Sequence, residues 1–118
     1  MNLREIKELL NAEVLVAEEA LDSIEVEKGY ASDLMSDVLA FSSPAVLLLT
    51  GLTNVQIFRT AQMLDIPAIV FVRGKMPSED LLKLAKEANM PILLTFMSMF
   101  ESCGRLYGRG LAPCDIKH

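Results

Sequence analysis

Two cations flank a glycine at Arg73-Gly74-Lys75, directly after the apolar run Ala68-Ile-Val-Phe-Val72 and just before Ser78-Glu79-Asp80, which has the composition of a helix start. A strand that ends where a helix begins brings unpaired N–H groups and the positive end of the helix dipole to one place, so the chemistry on offer is anion binding. The same arrangement recurs at Thr50-Gly51-Leu52-Thr53-Asn54 and at Thr95-Phe96-Met97-Ser98. In an open parallel sheet, ligands bind outside the carboxyl ends of the strands. Gly51, Thr53, Asn54, Arg73, Gly74, Lys75 and Ser98 therefore form a candidate binding set for a small phosphorylated or carboxylate ligand. A plainer reading competes with it: Thr53 and Ser98 as helix caps, Gly51 and Gly74 as turn residues, and the two cations in solvent.

Other chemistry is poorly provided for. The single histidine is the last residue, His118, which removes most general-base schemes. Cys103, Cys114 and His118 offer three soft ligands at irregular spacing with no Cys-x-x-Cys pair, so no metal site is expected. Neither Gly-x-x-x-x-Gly-Lys-Ser/Thr nor Gly-x-Gly-x-x-Gly follows any predicted strand. Tyr30, Asp33 and Arg73 would be the candidates if the chain were an enzyme, but nothing assembles a nucleophile, base and oxyanion hole. No cofactor is expected.

The elements that must position the candidate set repeat. Prolines 44, 67 and 91 each precede a short apolar run: residues 45–51 (Ala-Val-Leu-Leu-Leu-Thr-Gly), 68–72 and 92–94. Each run is followed by helical spacing, over residues 54–65, 79–88 and from Met99. Uninterrupted apolar runs read as strands buried on both faces, and parallel strands need a helical crossover. The first run is expected to be the central strand. In the first of these helices Ile57, Ala61 and Leu64 share a stripe; in the second Leu81, Leu82, Ala85 and Ala88 pack down and Asn89 stops the helix; in the third Ser98 and Glu101 form a capping box, Phe100, Cys103 and Tyr107 share a stripe, and Gly108 ends it.

Before these units, residues 2–10 read as a helix capped by Asn2 with Glu5 three residues on, and residues 13–17 as a short strand. Residues 18–28 are dominated by acids, and Ile24-Glu25-Val26-Glu27 alternates like a half-exposed edge strand; this acidic stretch reads as solvated surface or as a docking patch for a basic partner. Gly29-Tyr30-Ala31 is expected to turn the chain. Ser32 then caps a helix to residue 41, with Asp33 beside its positive start. Leu34, Val38 and Phe41 lie on one stripe, widened by Met35 and Leu39. A face this broad serves the core or a subunit interface, making Leu34, Met35, Val38 and Leu39 the candidate interface residues. Residues 109–118 read as a tail.

With 118 residues the chain is expected to form one domain, residues 1–118, with a core over about 3–108. The hydrophobic share of 52% supports a packed interior, and the longest apolar run falls far short of the roughly 20 residues that span a bilayer. No membrane association is expected. The N-terminus lacks a signal-peptide pattern and two cysteines give no disulfide framework, so a reduced, cytoplasmic protein is expected. The net charge of −5 is uneven: residues 1–58 carry ten acidic and three basic side chains, residues 59–118 six and eight. Nucleic-acid binding needs a clustered positive surface and is not expected.

The blocks 29–38 (Gly-Tyr-Ala-Ser-Asp-Leu-Met-Ser-Asp-Val), Leu49-Thr50-Gly51, Phe71-Val72-Arg73-Gly74 and Pro91-Ile92-Leu93-Leu94-Thr95, followed by Phe100 and Leu106-Tyr107, resemble in order the motifs of a DRTGG domain. The resemblance covers roughly residues 3–108. It implies a three-layer α/β/α fold with a small, mostly parallel sheet, similar to the N-terminal domain of HPr kinase/phosphorylase and to the DRTGG module of CBS-domain pyrophosphatases. It further implies a non-catalytic module that pairs as a homodimer and responds to a nucleotide. The kinase activity is not implied, because the P-loop is absent. The chain departs from the family where an Asp-Arg pair is replaced within Gly51-Leu52-Thr53-Asn54, where the glycine-rich strand end becomes Arg73-Gly74, and where an Asp-Thr becomes Ser98-Met99. Arg73 is then the residue expected to replace the missing cation in part.

Two functions are consistent with these readings. One is a regulatory or scaffold domain acting as a homodimer through protein contacts; the other is a sensor of a small phosphorylated ligand such as an adenine nucleotide.

Overall fold

The computed structural model describes residues 1–115, and His118 lies outside them. Helix α1 (Leu3–Leu9) opens with a full capping box: the Asn2 side chain accepts from the Glu5 N–H, and the Glu5 carboxylate accepts from the Asn2 N–H. The strands are β1 (Glu13–Val16), β2 (Lys28–Ala31), β3 (Leu47–Thr50), β4 (Ala68–Phe71), β5 (Ile92–Leu94) and β6 (Ala112–Pro113). Helices α2 (Met35–Phe41), α3 (Val55–Met63), α4 (Glu79–Ala88) and α5 (Met99–Gly108) follow, and a 3-10 turn spans Glu18–Ala20.

The six strands form one sheet in the order β1-β5-β4-β3-β2-β6. All neighbouring pairs are parallel except β1 with β5. From β2 to β5 the strands step in one direction and α2, α3 and α4 lie on one face; the chain then crosses back through α5 on the other face to reach β6. A right-handed crossover places a helix on opposite faces for opposite directions of travel, which accounts for the sidedness. Side chains of the central strands divide accordingly: Leu48, Ile69, Phe71 and Ile92 pack with Val38, Ile57, Phe58, Leu81 and Ala85, while Leu47, Leu49, Val70 and Leu93 pack with Leu3, Ile6 and Leu106. The result is the three-layer α/β/α fold with a mostly parallel sheet. Each fully buried leucine of β3 contributes about 1.5–3 kcal/mol of hydrophobic stabilisation, which suits β3 to its place near the sheet centre.

Several local expectations need correction. The segment 24–27 keeps the expected alternation, Glu25 and Glu27 outward and Val26 buried, yet it pairs with the N-terminus, through Leu3 N to Ile24 O and Val26 N to Met1 O, and is not a strand of the sheet. Strand β2 instead takes in Gly29, Tyr30 and Ala31, expected to be a turn, which pair with Leu47, Leu48 and Leu49. Gly29 has a packing reason: a Cβ there would lie 3.0 Å from a methyl of Leu111. Residues 111–114, expected to be tail, are the edge of the sheet. Ala112 N donates to Glu27 O and Cys114 N to Gly29 O, and both Leu111 and Cys114 are buried. Two adjacent residues of ladder are too short to show a period of two.

Helix α5 faces the other way from its expected stripe. Phe100 and Tyr107 are 91% and 69% exposed, Ser102 and Leu106 are buried, and Cys103 is half-buried. Ser98 does cap the helix, but Glu101 turns its carboxylate to Arg105. The two possible apolar stripes differ by one residue, about 100° of rotation, and the sheet selected the one containing Met99 and Leu106. Ala88 of α4 likewise faces solvent, while Asn89 takes the expected left-handed stop at φ 53°.

Candidate functional site

Parallel β3, β4 and β5 end on one rim, so Gly51, Arg73–Lys75 and Thr95–Ser98 converge as expected. The ladder runs on past the strand ends through Val72 N to Thr50 O and Thr95 N to Phe71 O, which fixes the exits relative to each other. Two buried hydroxyls then turn the chain: Thr50 Oγ1 accepts from Leu52 N and Thr95 Oγ1 from Met97 N, while Thr95 Oγ1 also donates 2.7 Å to Leu10 O.

A residue outside the expected set ties the rim together. Asp33, on the connection from β2, accepts from the Gly51 N–H at 2.6 Å through Oδ1 and pairs with Arg73 Nη1 at 3.0 Å through Oδ2. The sequence places Asp33 at a helix start; in the structure α2 begins only after Leu34, and Ser32 Oγ accepts from the Leu34 N–H instead of capping the helix. The Arg73 guanidinium lies across Gly51, where a Cβ would collide with Nη2. Gly51 is therefore required for close approach.

Arg73 and Gly74 both have left-handed backbone, φ 58° and 66°. For Arg73 this costs about 1–2 kcal/mol. The turn is held by three backbone bonds, Arg73 N to Met97 O, Gly74 N to Thr95 O and Lys75 N to Val72 O. Those amides are consumed, so an anion at this turn meets side chains. The Arg73 and Lys75 side chains are exposed, and Lys75 makes no ion pair among the described residues. Phe96, 71% exposed, lays its ring against Gly74, where a Cβ would come within 2.7 Å of Cδ1. The sequence offers only an aromatic residue between a strand and a capped helix; its exposure and its contact with Gly74 depend on the turn.

The remaining candidates divide. Ser98 caps α5 by accepting from Glu101 N, the plainer of its two readings, and α3 is capped by Asn54, which accepts from Ile57 N. Thr53 is not the cap of α3; its carbonyl accepts from Ser78 N, joining the β3 exit to the start of α4. The rim is a ledge on which Asn54, Arg73, Lys75, Phe96 and Ser98 are exposed. Of the candidate interface residues, Val38 is fully buried and Met35 packs on the core, whereas Leu34 and Leu39 are 57% and 47% exposed beside Phe41.

A separate concavity of about 350 Å³ opens between α5 and the β2–β6 edge, lined by Ala31, Leu49, Phe100, Cys103 and Leu111 among others, and no charged side chain lines it. None of the candidate ligand residues borders it. Burial pushes the Cys103 thiol up from its ordinary pKa. Among the described residues no group of three or more His, Cys, Asp or Glu side chains could hold a metal ion, and no helix is long and apolar enough to cross a membrane.

No family model matches the sequence, and no curated protein matches it. Among solved structures, the chain is similar to the CBS and DRTGG domains of the regulatory region of Clostridium perfringens pyrophosphatase, solved in complex with the activator diadenosine tetraphosphate: TM-score 0.72, 23% identity, covering 94% of this chain and 47% of that one. The chain thus spans about half the length of that structure. At this identity the likeness is one of fold: the chain has the architecture of the DRTGG domain that its sequence resembles.

Proposed function

We propose that the chain is a non-catalytic regulatory module that binds a small phosphorylated ligand, an adenine nucleotide in particular, on the carboxyl rim, and that it works in the cytoplasm by relaying occupancy to a protein partner. The observation that carries this reading is the placement of Phe96 against Gly74, the residue that separates the cations Arg73 and Lys75 along the chain. Exposed guanidinium and ammonium groups receive phosphate oxygens, and an exposed aromatic ring stacks a base, an interaction of about 1–3 kcal/mol. Similarity in fold to a regulatory region solved with a dinucleotide activator supports it. Isothermal titration with AMP, ADP, ATP and diadenosine tetraphosphate tests it. Affinity is expected to rise with phosphate number, and absence of heat or thermal shift at millimolar ligand would overturn it.

A second reading, self-association, is favoured by the exposed Leu34, Leu39 and Phe41 on and beside α2. Light scattering after size exclusion at tens of micromolar is expected to show a homodimer; a monomer at that concentration would remove it.

A further inference from the structure

We infer that Asp33 is an intramolecular competitor for the anion site, and that a phosphate-bearing ligand displaces it from Arg73 and so unfastens the connection between β2 and α2. The inference rests on the rim reading above and adds its regulation. Asp33 presents a carboxylate to donors that a bound anion would use: Oδ2 lies 3.0 Å from Arg73 Nη1, and Oδ1 takes the Gly51 N–H at 2.6 Å. The Asp33 and Arg73 side chains are 44% and 39% exposed, so solvent screens the pair and it biases the equilibrium by no more than about fivefold. A phosphate carries more charge and three acceptor oxygens, and once on the guanidinium it repels the carboxylate beside it.

What Asp33 holds is weakly held otherwise. Helix α2 has one fully buried residue, Val38, and no side-chain N-cap. Leu34 and Leu39 face outward. Its other ties are the packing of Met35 on the core, a 3.3 Å bond from Tyr30 Oη to Asp37 O and a 3.5 Å contact from Cys114 Sγ to Phe41 O, and ahead of Asp33 the connection is held by Ser32 N to Leu49 O. Releasing Asp33 therefore loosens, without detaching, the start of the element that carries the exposed apolar side chains, and couples rim occupancy to that face.

The test titrates ATP into the wild-type chain and into Asp33→Asn, with adenosine as the phosphate-free control. Asparagine keeps an acceptor for the Gly51 N–H but forms no ion pair with Arg73. ATP is expected to bind Asp33→Asn about two- to fivefold more tightly, with adenosine unchanged, and ATP is expected to speed amide exchange over residues 33–41 of the wild type. Wild-type binding with unchanged or weaker affinity in Asp33→Asn, or with exchange at 33–41 slowed, would overturn the displacement while leaving the rim site standing. No ATP binding by either protein would overturn both; binding by Asp33→Asn alone would establish the competitor directly.

Discussion

The guanidinium of Arg73 crosses Gly51 so closely that no side chain fits beneath it. Gly51 has no left-handed backbone to protect, so an alanine there acts by pushing aside the far end of Arg73 and by crowding Asp33 Oδ1, 3.0 Å from the Cβ position. Gly51→Ala is expected to lower stability by less than about 1 kcal/mol, and to cost less in an Arg73→Ala background. A double-mutant cycle by urea unfolding checks this. Additive effects would mean the two residues are not in contact.

Arg73→Gly separates folding from binding. Glycine relieves the left-handed strain, a gain of about 1 kcal/mol that offsets the loss of an exposed ion pair. Stability is expected to stay within about 1 kcal/mol of wild type while nucleotide affinity falls at least tenfold. Retained affinity in a folded Arg73→Gly protein would remove Arg73 from the site.

Asn54 and Ser98 are expected to act as caps. Replacing either with alanine should cost about 1 kcal/mol by thermal or urea unfolding, because Ile57 N or Glu101 N loses its acceptor. Ligand affinity should change little. A large loss of affinity with unchanged stability would return them to the ligand set.

Leu111 tests whether the last strand belongs to the fold. It is 6% exposed and packs on Gly29, so Leu111→Ala is expected to cost at least about 2 kcal/mol. A residue in a dispensable tail would change stability by a few tenths.

The repeat of proline, apolar run and helix made the parallel sheet legible, since burial on both faces leaves an unmistakable run such as Leu47-Leu48-Leu49, and caps such as Asn2 and Ser78 mark helix starts locally. What the sequence hid depends on distant partners. Gly29 in a strand makes sense only beneath Leu111, and the inward face of α5 only against the sheet. The rim's convergence followed from topology. The clasp did not, because Asp33, Gly51 and Arg73 come from three separate connections and none carries a local signal of the others.

The most direct measurement is a nitrogen–proton NMR titration of the amides with diadenosine tetraphosphate. The rim reading predicts that shifts concentrate at Gly51, Gly74, Lys75, Phe96 and the segment following Asp33, and leave the lining of the α5–β6 concavity unmoved. Shifts confined to Cys103, Gly104 and Leu111, or none at millimolar ligand, would contradict it.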